Sequence, residues 1–262
     1  MIPAREIREK AREYGVPETT IERDYAQNWL LKHLSPMNMA LKGGTGIRKV
    51  YIENYRFSDD LDFTLLERMD KDILKELLNK AIREAKEGSG INFNDEIQIE
   101  ENVNGFEIPI YLRILRRGGT PLKIKLDLTS SEKESILLSV ERKEILHPYS
   151  DRCQFQAKVY SLEEIMAEKI RSLFERIRPR DLYDVWYLHN RIDREKMLNT
   201  LYEKCRFKNV EIDVSSLEDR KSDFANAWKN SLGNQLKELP GFNYVYDRVI
   251  KQVGEYETNG NS

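Results

Sequence analysis

The sequence predicts an α+β fold, in which a first half that mixes helices with a sheet precedes a helical C-terminal region. Apolar and polar residues alternate over residues 61–65, which is the period of a strand with one buried face. Runs rich in apolar and β-branched residues follow at 106–115 and 122–128. From Ser161 the apolar spacing becomes helical and stays so almost to the end. These patterns indicate a mixed sheet flanked by helices, followed by a helical region.

The N-terminal helices are indicated by their boundary residues. Residues 4–14 follow Pro3 and end before Gly15, which is the usual order of proline and glycine around a helix. A second helix is expected from about Pro17 to Leu34, where apolar and aromatic residues recur at helical spacing.

The next segments alternate between strand and helix signals. An apolar run at 37–41 predicts a short strand, and a helical stretch is expected from Thr45 to Tyr51. Residues 70–87 read as a helix that stops at Gly88-Ser89-Gly90. We expect residues 91–100 to open a series of antiparallel strands that continues over 106–115 and 122–128, because only short turns separate these runs.

A capping box marks the start of the helical region. Ser161 is followed three residues later by Glu164, a pair that satisfies the free N–H groups at a helix start. We therefore expect a core domain over residues 1–150, which includes the N-terminal helices, and a helical domain over residues 151–262 that completes the active site.

Composition excludes several classes of protein. The formal net charge is only −2, so any nucleic acid would have to be held by local basic patches. Cys153 and Cys205 lie far apart, which argues against a zinc site or a disulfide framework. No apolar run approaches the length of a membrane span, and no signal peptide is evident. We therefore expect a cytoplasmic protein that does not bind membranes.

A glycine-rich turn is the first candidate functional segment. The sequence Lys42-Gly43-Gly44-Thr45-Gly46 lies between a predicted strand and a predicted helix. Glycine allows positive φ and close approach of the backbone to a ligand. A helix that starts after such a turn presents free N–H groups to a phosphate. The alternative is an ordinary tight turn between a strand and a helix.

Two aspartates follow on the next predicted strand. Asp60 and Asp62 are two residues apart, so their side chains point to the same face. Two carboxylates on one face repel each other unless a cation lies between them, and oxygen ligands suit Mg²⁺ or Mn²⁺. The alternative is a solvated strand face without a metal. Phosphate at the turn and metal at the aspartates together predict nucleotidyl transfer.

A third carboxylate is expected on a neighbouring strand, and Asp127 is the best candidate. It ends an alternating strand that carries Lys123 and Lys125 on the same face. Three carboxylates could hold two metal ions roughly 3.5–4 Å apart. The alternative is an aspartate that caps the following turn.

The helical region contains a second group of charged residues. Lys169 and Arg176 are seven residues apart along one edge of the apolar stripe of the helix that starts at Ser161. Asp181 and Asp184 are neighbours on the next predicted helix, at i and i+3. They could contribute to a site, or they could form salt bridges on a surface helix.

These motifs resemble the AbiEii/AbiGii toxin family of nucleotidyltransferases. The resemblance rests on Lys42-Gly43-Gly44-Thr45, on Arg56-Phe57-Ser58-Asp59-Asp60-Leu61-Asp62-Phe63, and on the segment from Glu168-Lys169 to Arg180-Asp181-Leu182-Tyr183-Asp184, in the family's order. It implies a polymerase-β-like nucleotidyltransferase core with a helical C-terminal part. It also implies the toxin of a toxin–antitoxin or phage-defence system, with a small antitoxin as partner.

The resemblance also implies roles for particular residues. Asp60 and Asp62 would hold the metal, and Ser58 would lie with the glycine turn near the phosphates of an NTP. Lys169 would contact the nucleotide, and Asp184 or Asp181 would complete the site.

The predicted reaction is attack of an acceptor hydroxyl on the α-phosphorus of an NTP, with the proton passing to Asp127 or to the metal centre. Lys169 and Arg176 would neutralise charge on the triphosphate. RNA, in particular the 3′ end of tRNA, is the expected acceptor. The candidate basic patch for it comprises Arg113, Arg116, Arg117, Lys123 and Lys125. Two alternatives stay open: transfer to a protein hydroxyl or a small molecule, and an inactive member that binds a nucleotide or a partner.

Overall fold

The computed structural model describes residues 1–116 and 118–260, and these form two compact units. The first unit comprises Met1–Glu134 and Val140–Tyr160, and the second comprises Ser135–Ser139 and the chain from Ser161 onward. The first unit extends to Tyr160, because residues 156–159 form a strand of its sheet.

Helices α1 (Ala4–Tyr14) and α2 (Glu18–Leu34) confirm the predicted N-terminal pair. Gly15 ends α1 in the left-handed conformation, with φ of 61°. Helix α2 packs against α1, against the sheet and against α4 (Lys71–Ser89), and it buries Ile21, Tyr25 and Leu30 completely. Helix α2 therefore packs against the sheet that carries the candidate site.

Eight strands in the described part of the chain form one mixed sheet, which confirms the predicted α+β class. They are β1 (Met39–Lys42), β2 (Asp60–Leu65), β3 (Asn92–Phe93), β4 (Glu100–Asn102), β5 (Gly105–Arg113), β6 (Leu122–Thr129), β7 (Glu141–Glu144) and β8 (Gln156–Val159). The order is β3-β5-β6-β2-β1-β8-β7, and β4 pairs with β5. Strand β2 runs parallel to β6 and antiparallel to β1, whereas β8 runs parallel to β1.

The prediction of a single strand over residues 91–100 is wrong. The segment instead contains the short strands β3 and β4, both antiparallel to β5. Asn94, Asp95 and Glu96 lie between them, and such polar side chains disfavour a continuous strand.

The second unit is helical, as predicted. Its helices are α5 (Leu162–Glu175), α6 (Pro179–Leu188), α7 (Arg194–Lys208), α8 (Val214–Asp219), α9 (Lys221–Leu232) and α10 (Phe242–Gly260). The Ser161 side chain accepts a hydrogen bond from the Glu164 N–H at 3.2 Å, so the predicted cap starts α5. Pro179 occupies the first turn of α6, where its missing N–H has no cost.

The segment Ser135–Ser139 is tied to the helices of its unit by buried charges. The fully buried carboxylate of Glu164 accepts hydrogen bonds from the N–H groups of Leu137 and Leu138, at 2.9 and 2.8 Å. Lys204, also fully buried, lies 2.9 Å from Glu164 and donates to the Ser135 carbonyl at 2.6 Å. Within residues 1–116 and 118–260, no helix has the length and apolar character needed to cross a membrane.

Candidate active site at the glycine turn

The turn after β1 requires glycine at two positions. Gly43 has φ of +68°, and a Cβ atom there would lie 2.6 Å from Asp62 Oδ2. A Cβ atom on Gly44 would lie 2.7 Å from Arg56 Nη2 and 3.2 Å from Ser58 Oγ. The absence of these side chains therefore lets the turn lie directly against Asp62 and against the Arg56–Ser58 segment.

The glycine turn is itself helical from Gly43, whereas the sequence predicts that the helix begins two residues later, at Thr45. Helix α3 (Gly43–Gly46) continues as a π-helix over Ile47–Tyr51. The Thr45 hydroxyl donates to the backbone carbonyl of Asp60, which ties the turn to the start of β2.

A buried ion network holds the π-helix against α2. Asp24 Oδ1 lies 2.7 Å from both Arg48 Nε and Lys49 Nζ, and the Tyr149 hydroxyl donates to Asp24 Oδ2 at 2.7 Å. Burial opposes the charge on Asp24, but Arg48 and Lys49 outweigh it and hold the pKa of Asp24 below its ordinary value. Burial lowers the pKa of Lys49 to about 8, although Asp24 opposes that shift. We call Asp24, Arg48, Lys49 and Tyr149 the Asp24 network.

The two aspartates of β2 lie on one side of the strand, as predicted from their spacing. Asp60 and Asp62 are partly exposed, whereas the alternating Leu61 and Phe63 are buried. The carboxylates are therefore neither on opposite sides of the strand nor covered by packed side chains. Their catalytic roles stay predictions.

Strand register brings further charged side chains beside these aspartates. Asp62 is opposite Lys42 on β1 and beside Asp127 on β6, and Asp127 is opposite Glu107 on β5. Asp60 pairs with Lys125 in the neighbouring row. We call Asp60, Asp62, Asp127 and Glu107 the acidic face. Glu107 was not predicted, because the register between β5 and β6 cannot be read from a local pattern.

Lys125 lies within the acidic face. Its Nζ is 2.7 Å from Asp127 Oδ2 and 3.7 Å from Glu107 Oε2. Burial lowers the pKa of Lys125, but the hydrogen bond to Asp127 and the charges of Asp60 and Glu107 outweigh it and raise the pKa overall. Burial also raises the pKa of Asp127, helped by the charges of Asp62 and Glu107 and opposed by Lys125.

Lys42 closes the acidic face on the β1 side. Its side chain is mostly buried, and Nζ lies 5.7 Å from the centroid of the Tyr160 ring. Lys42 lies opposite Asp62 and directly precedes the glycine turn. A buried lysine in this position is suited to bind an anion such as phosphate.

The donor set of the acidic face fits a hard divalent cation. Its carboxylates are oxygen ligands of the kind that Mg²⁺ and Mn²⁺ prefer. The mutual repulsion of Asp62 and Asp127 is the kind that a cation relieves. Among residues 1–116 and 118–260, no three His, Cys, Asp or Glu side chains are already gathered as a metal-binding group. The predicted metal site of Asp60, Asp62 and Asp127 therefore stays a prediction.

The second group of predicted residues comes together within the second unit. Lys169 Nζ lies 2.5 Å from Asp181 Oδ1 and 3.0 Å from Asp184 Oδ2. Arg176 Nη2 lies 3.5 Å from Asp181 Oδ2, an oxygen that accepts no hydrogen bond from the described residues. Both aspartates are buried, so the cluster is not a solvated surface helix. Its role in the reaction stays a prediction.

The predicted basic patch is divided in the structure. Lys125 is engaged with the acidic face, and the Arg113 guanidinium donates to the Gly119 carbonyl at 2.6 Å. Lys123 and Arg116 are exposed, and Arg117 lies outside the described residues. Among the described residues, the exposed part of the patch therefore consists of Arg116 and Lys123.

The fold, with carboxylates on one sheet face beside a glycine turn, is that of a nucleotidyltransferase. MenT4, the nucleotidyltransferase toxin Rv2826c from Mycobacterium tuberculosis H37Rv, has a similar structure, with a TM-score of 0.68 and 18% identity, over 98% of this chain and 90% of that one. JHP933 from Helicobacter pylori is similar with a TM-score of 0.54 and 18% identity, over 94% of this chain and 95% of that one.

The family follows from a comparison of sequences. A model of the family described as "Nucleotidyl transferase AbiEii toxin, Type IV TA system" matches residues 29–248. The chain belongs to this family, and it is therefore a nucleotidyltransferase toxin of the type IV toxin–antitoxin class. No curated protein matches the sequence.

Proposed function

We propose that this toxin transfers a nucleotidyl group from an NTP to a hydroxyl of RNA, with the 3′ end of tRNA as the acceptor, in a reaction that depends on Mg²⁺ or Mn²⁺. The observation that carries the proposal is the position of Asp62, whose carboxylate lies against the Gly43 turn on the acidic face. A triphosphate at the turn and a cation at Asp60 and Asp62 would then be adjacent.

Residues of the first unit are assigned three roles: phosphate binding, metal binding and proton transfer. Lys42 and the turn Gly43–Thr45 receive the phosphates, with Ser58 beside the turn. Asp60 and Asp62 hold the metal ion, which when bound supplies charge neutralisation for the triphosphate. Asp127, which lies beside Asp62 on the neighbouring strand, accepts the proton of the acceptor hydroxyl. Its raised pKa brings it closer to the range in which a general base works well.

Lys169 and Arg176 of the second unit are proposed to contact the triphosphate. Asp181 and Asp184 fix the Lys169 ammonium, and Arg176 lies beside Asp181. A lysine held in this way loses little further freedom when it binds a phosphate, so Lys169 and Arg176 are suited to neutralise the triphosphate.

The proposed acceptor is RNA. The exposed residues Arg116 and Lys123 offer positive charge for an RNA backbone. Family membership implies an antitoxin, which we propose to be a small protein. We expect the toxin to act in the cytoplasm, where NTPs and tRNA are found.

A transfer assay tests the proposal. The protein is incubated with Mg²⁺, total tRNA and each NTP labelled at the α- or γ-phosphate. We expect label on tRNA from α-labelled NTP only, because nucleotidyl transfer releases the γ-phosphate with pyrophosphate. Periodate-oxidised tRNA, which lacks the 3′-terminal diol, is the matched control and should accept no label. Label found only on added total protein, or nowhere, would contradict an RNA acceptor.

A further inference from the structure

A buried glutamine of α2 holds the segment that leads into β2. Residues 55–59 belong to no helix or strand, and β2 begins at Asp60. The backbone carbonyls of such a segment need donors other than a regular ladder. The Gln27 side chain supplies one, because its Nε2 donates to the Ser58 carbonyl at 2.9 Å. The carbonyl that it contacts lies two residues before Asp60.

The amide of Gln27 makes this one contact at a cost to the fold. Gln27 is fully buried, and its Oε1 accepts no hydrogen bond from the described residues. A buried polar atom without a partner destabilises the folded state, whereas an apolar side chain of the same size has no such atom. Stability alone therefore does not favour glutamine here, and the contact with Ser58 is what the residue provides.

The residues that Gln27 holds also touch the glycine turn. The Ser58 hydroxyl lies beside Gly44, since a Cβ atom there would be 3.2 Å from Ser58 Oγ. The Thr45 hydroxyl donates to the Asp60 carbonyl. Because each peptide unit is rigid, a shift of the Ser58 carbonyl would also move the Ser58 hydroxyl and the start of β2.

Helix α2 contacts the same segment at a second point, one helical turn earlier. Arg23 Nη1 donates to Asp59 Oδ1 at 2.6 Å, and Arg23 lies on the same helix face as Gln27. The Arg23 and Asp59 side chains are 20% and 39% exposed, so water can replace either partner. The contact between Gln27 and Ser58 is buried, and its loss is not repaired by solvent in this way.

We propose that Gln27 is a positioning residue of the active site. Its amide fixes the Ser58 carbonyl and thereby places the Ser58 hydroxyl and the Asp60 carboxylate for the triphosphate and its cation. The inference rests on the proposed function, because it concerns the same site. Gln27 is fully buried, so it acts through Ser58 and does not contact the substrate.

The Gln27→Met variant removes the donor and retains the length of the side chain. We expect the transfer rate at saturating NTP and the affinity for Mn²⁺ each to fall roughly 10- to 100-fold, the usual range for residues that orient metal ligands. Mn²⁺ alone is titrated into the protein and followed by electron paramagnetic resonance, which gives a readout independent of turnover. The melting temperature should stay close to that of the wild type, because the variant also removes the unpartnered Oε1. A wild-type value of either the rate or the affinity would overturn the inference.

The next residue of α2 offers a matched control. Asn28 is also fully buried, its Nδ2 donates to the Leu146 carbonyl at 3.0 Å, and its Oδ1 accepts no hydrogen bond from the described residues. Its amide also lies 2.9 Å from His147 Nδ1. Asn28→Leu should therefore lose at least as much stability as Gln27→Met while it keeps the transfer rate and the Mn²⁺ affinity. An equal loss of activity in the two variants would overturn the inference.

The Gln27→Glu variant adds a pH signature. A neutral carboxylic acid donates a hydrogen bond, but a carboxylate does not. The ratio of the variant's transfer rate to that of the wild type should therefore rise as the pH falls through the pKa of the introduced carboxyl. Asn28→Asp should show no such rise, and circular dichroism over the same pH range checks that both variants stay folded. A Gln27→Glu ratio that stays low at every pH would overturn the inference.

The Asp62→Asn variant separates this inference from the proposed function. The proposed function requires Asp62→Asn to lose both Mn²⁺ affinity and transfer activity. If Asp62→Asn keeps both, the proposed function fails, whatever the result for Gln27. If Asp62→Asn loses both but Gln27→Met keeps both, only the inference about Gln27 fails.

Discussion

The acidic face and the Asp24 network lie in the same unit and both contain aspartates, but their charges are arranged differently. In the Asp24 network, one buried carboxylate meets two cations and a hydroxyl, so each of its oxygens has a donor. On the acidic face, four partly exposed carboxylates lie on neighbouring strands, and the Lys125 ammonium contacts two of them. The first arrangement gives its carboxylate a full set of donors, whereas in the second, burial and the neighbouring charges of Asp62 and Glu107 raise the pKa of Asp127.

This difference separates a structural role from a binding role. A buried charge is tolerated only when partners compensate it fully, so the Asp24 network serves the fold. A cluster of like charges costs stability, and such clusters are commonly found where a ligand supplies opposite charge. The Asp24 network also holds the π-helix that follows the glycine turn, so it helps to position the turn.

The largest expected effect is on stability, from breaking the Asp24 network. Asp24→Asn should lower the free energy of unfolding by about 3–5 kcal/mol, because it leaves Arg48 and Lys49 buried without a counter-charge. Chemical denaturation measures the loss. Asp59→Asn is the control, since its partly exposed ion pair with Arg23 should contribute only about 0–1 kcal/mol.

The Asp24→Asn variant should also differ from the wild type in how its stability depends on pH in acid. Because the folded-state pKa of Asp24 lies below its ordinary value of 3.8, its stabilisation is present above pH 3.8 and is lost as the pH falls through the folded pKa. Asp24→Asn should lack this part of the acid dependence. Equal stability of the variant and the wild type at neutral pH would show that the network does not support the fold.

A smaller effect is expected at the glycine turn. Gly43→Ala should lose about 1–2 kcal/mol of stability through its positive φ, and it should also displace Asp62 and reduce transfer activity. Gly90→Ala has a similar φ of +73°, but its Cβ would meet nothing closer than 3.8 Å. It should therefore lose a similar amount of stability while it keeps full activity. Equal activity in both variants would show that the approach of Gly43 to Asp62 is unimportant.

The sequence predicts the elements of this fold better than their assembly. Local spacing was sufficient to place α1, α2 and β2, and to put Asp60 and Asp62 on one face. It could not show that Glu107 and Lys125 join them, because strand register depends on pairing between segments that are distant in the chain. The short strands β7 and β8 carry too few residues for a recognisable period. The burial of Asp181 and Asp184 depends on helix packing, which i, i+3 spacing does not reveal.

The central claim is that the acidic face binds a metal ion together with an NTP. Its most direct test compares the melting temperature of wild type and Asp62→Asn, with and without Mg²⁺ and a non-hydrolysable NTP. At about 100 times the dissociation constant, the ligands should stabilise the wild type by about 2.7 kcal/mol. Asp62→Asn should melt no lower than the unliganded wild type, because it removes repulsion with Asp127, and it should gain little from the ligands. An equal gain in both proteins, or a variant that is as unstable as Asp24→Asn, would contradict the account.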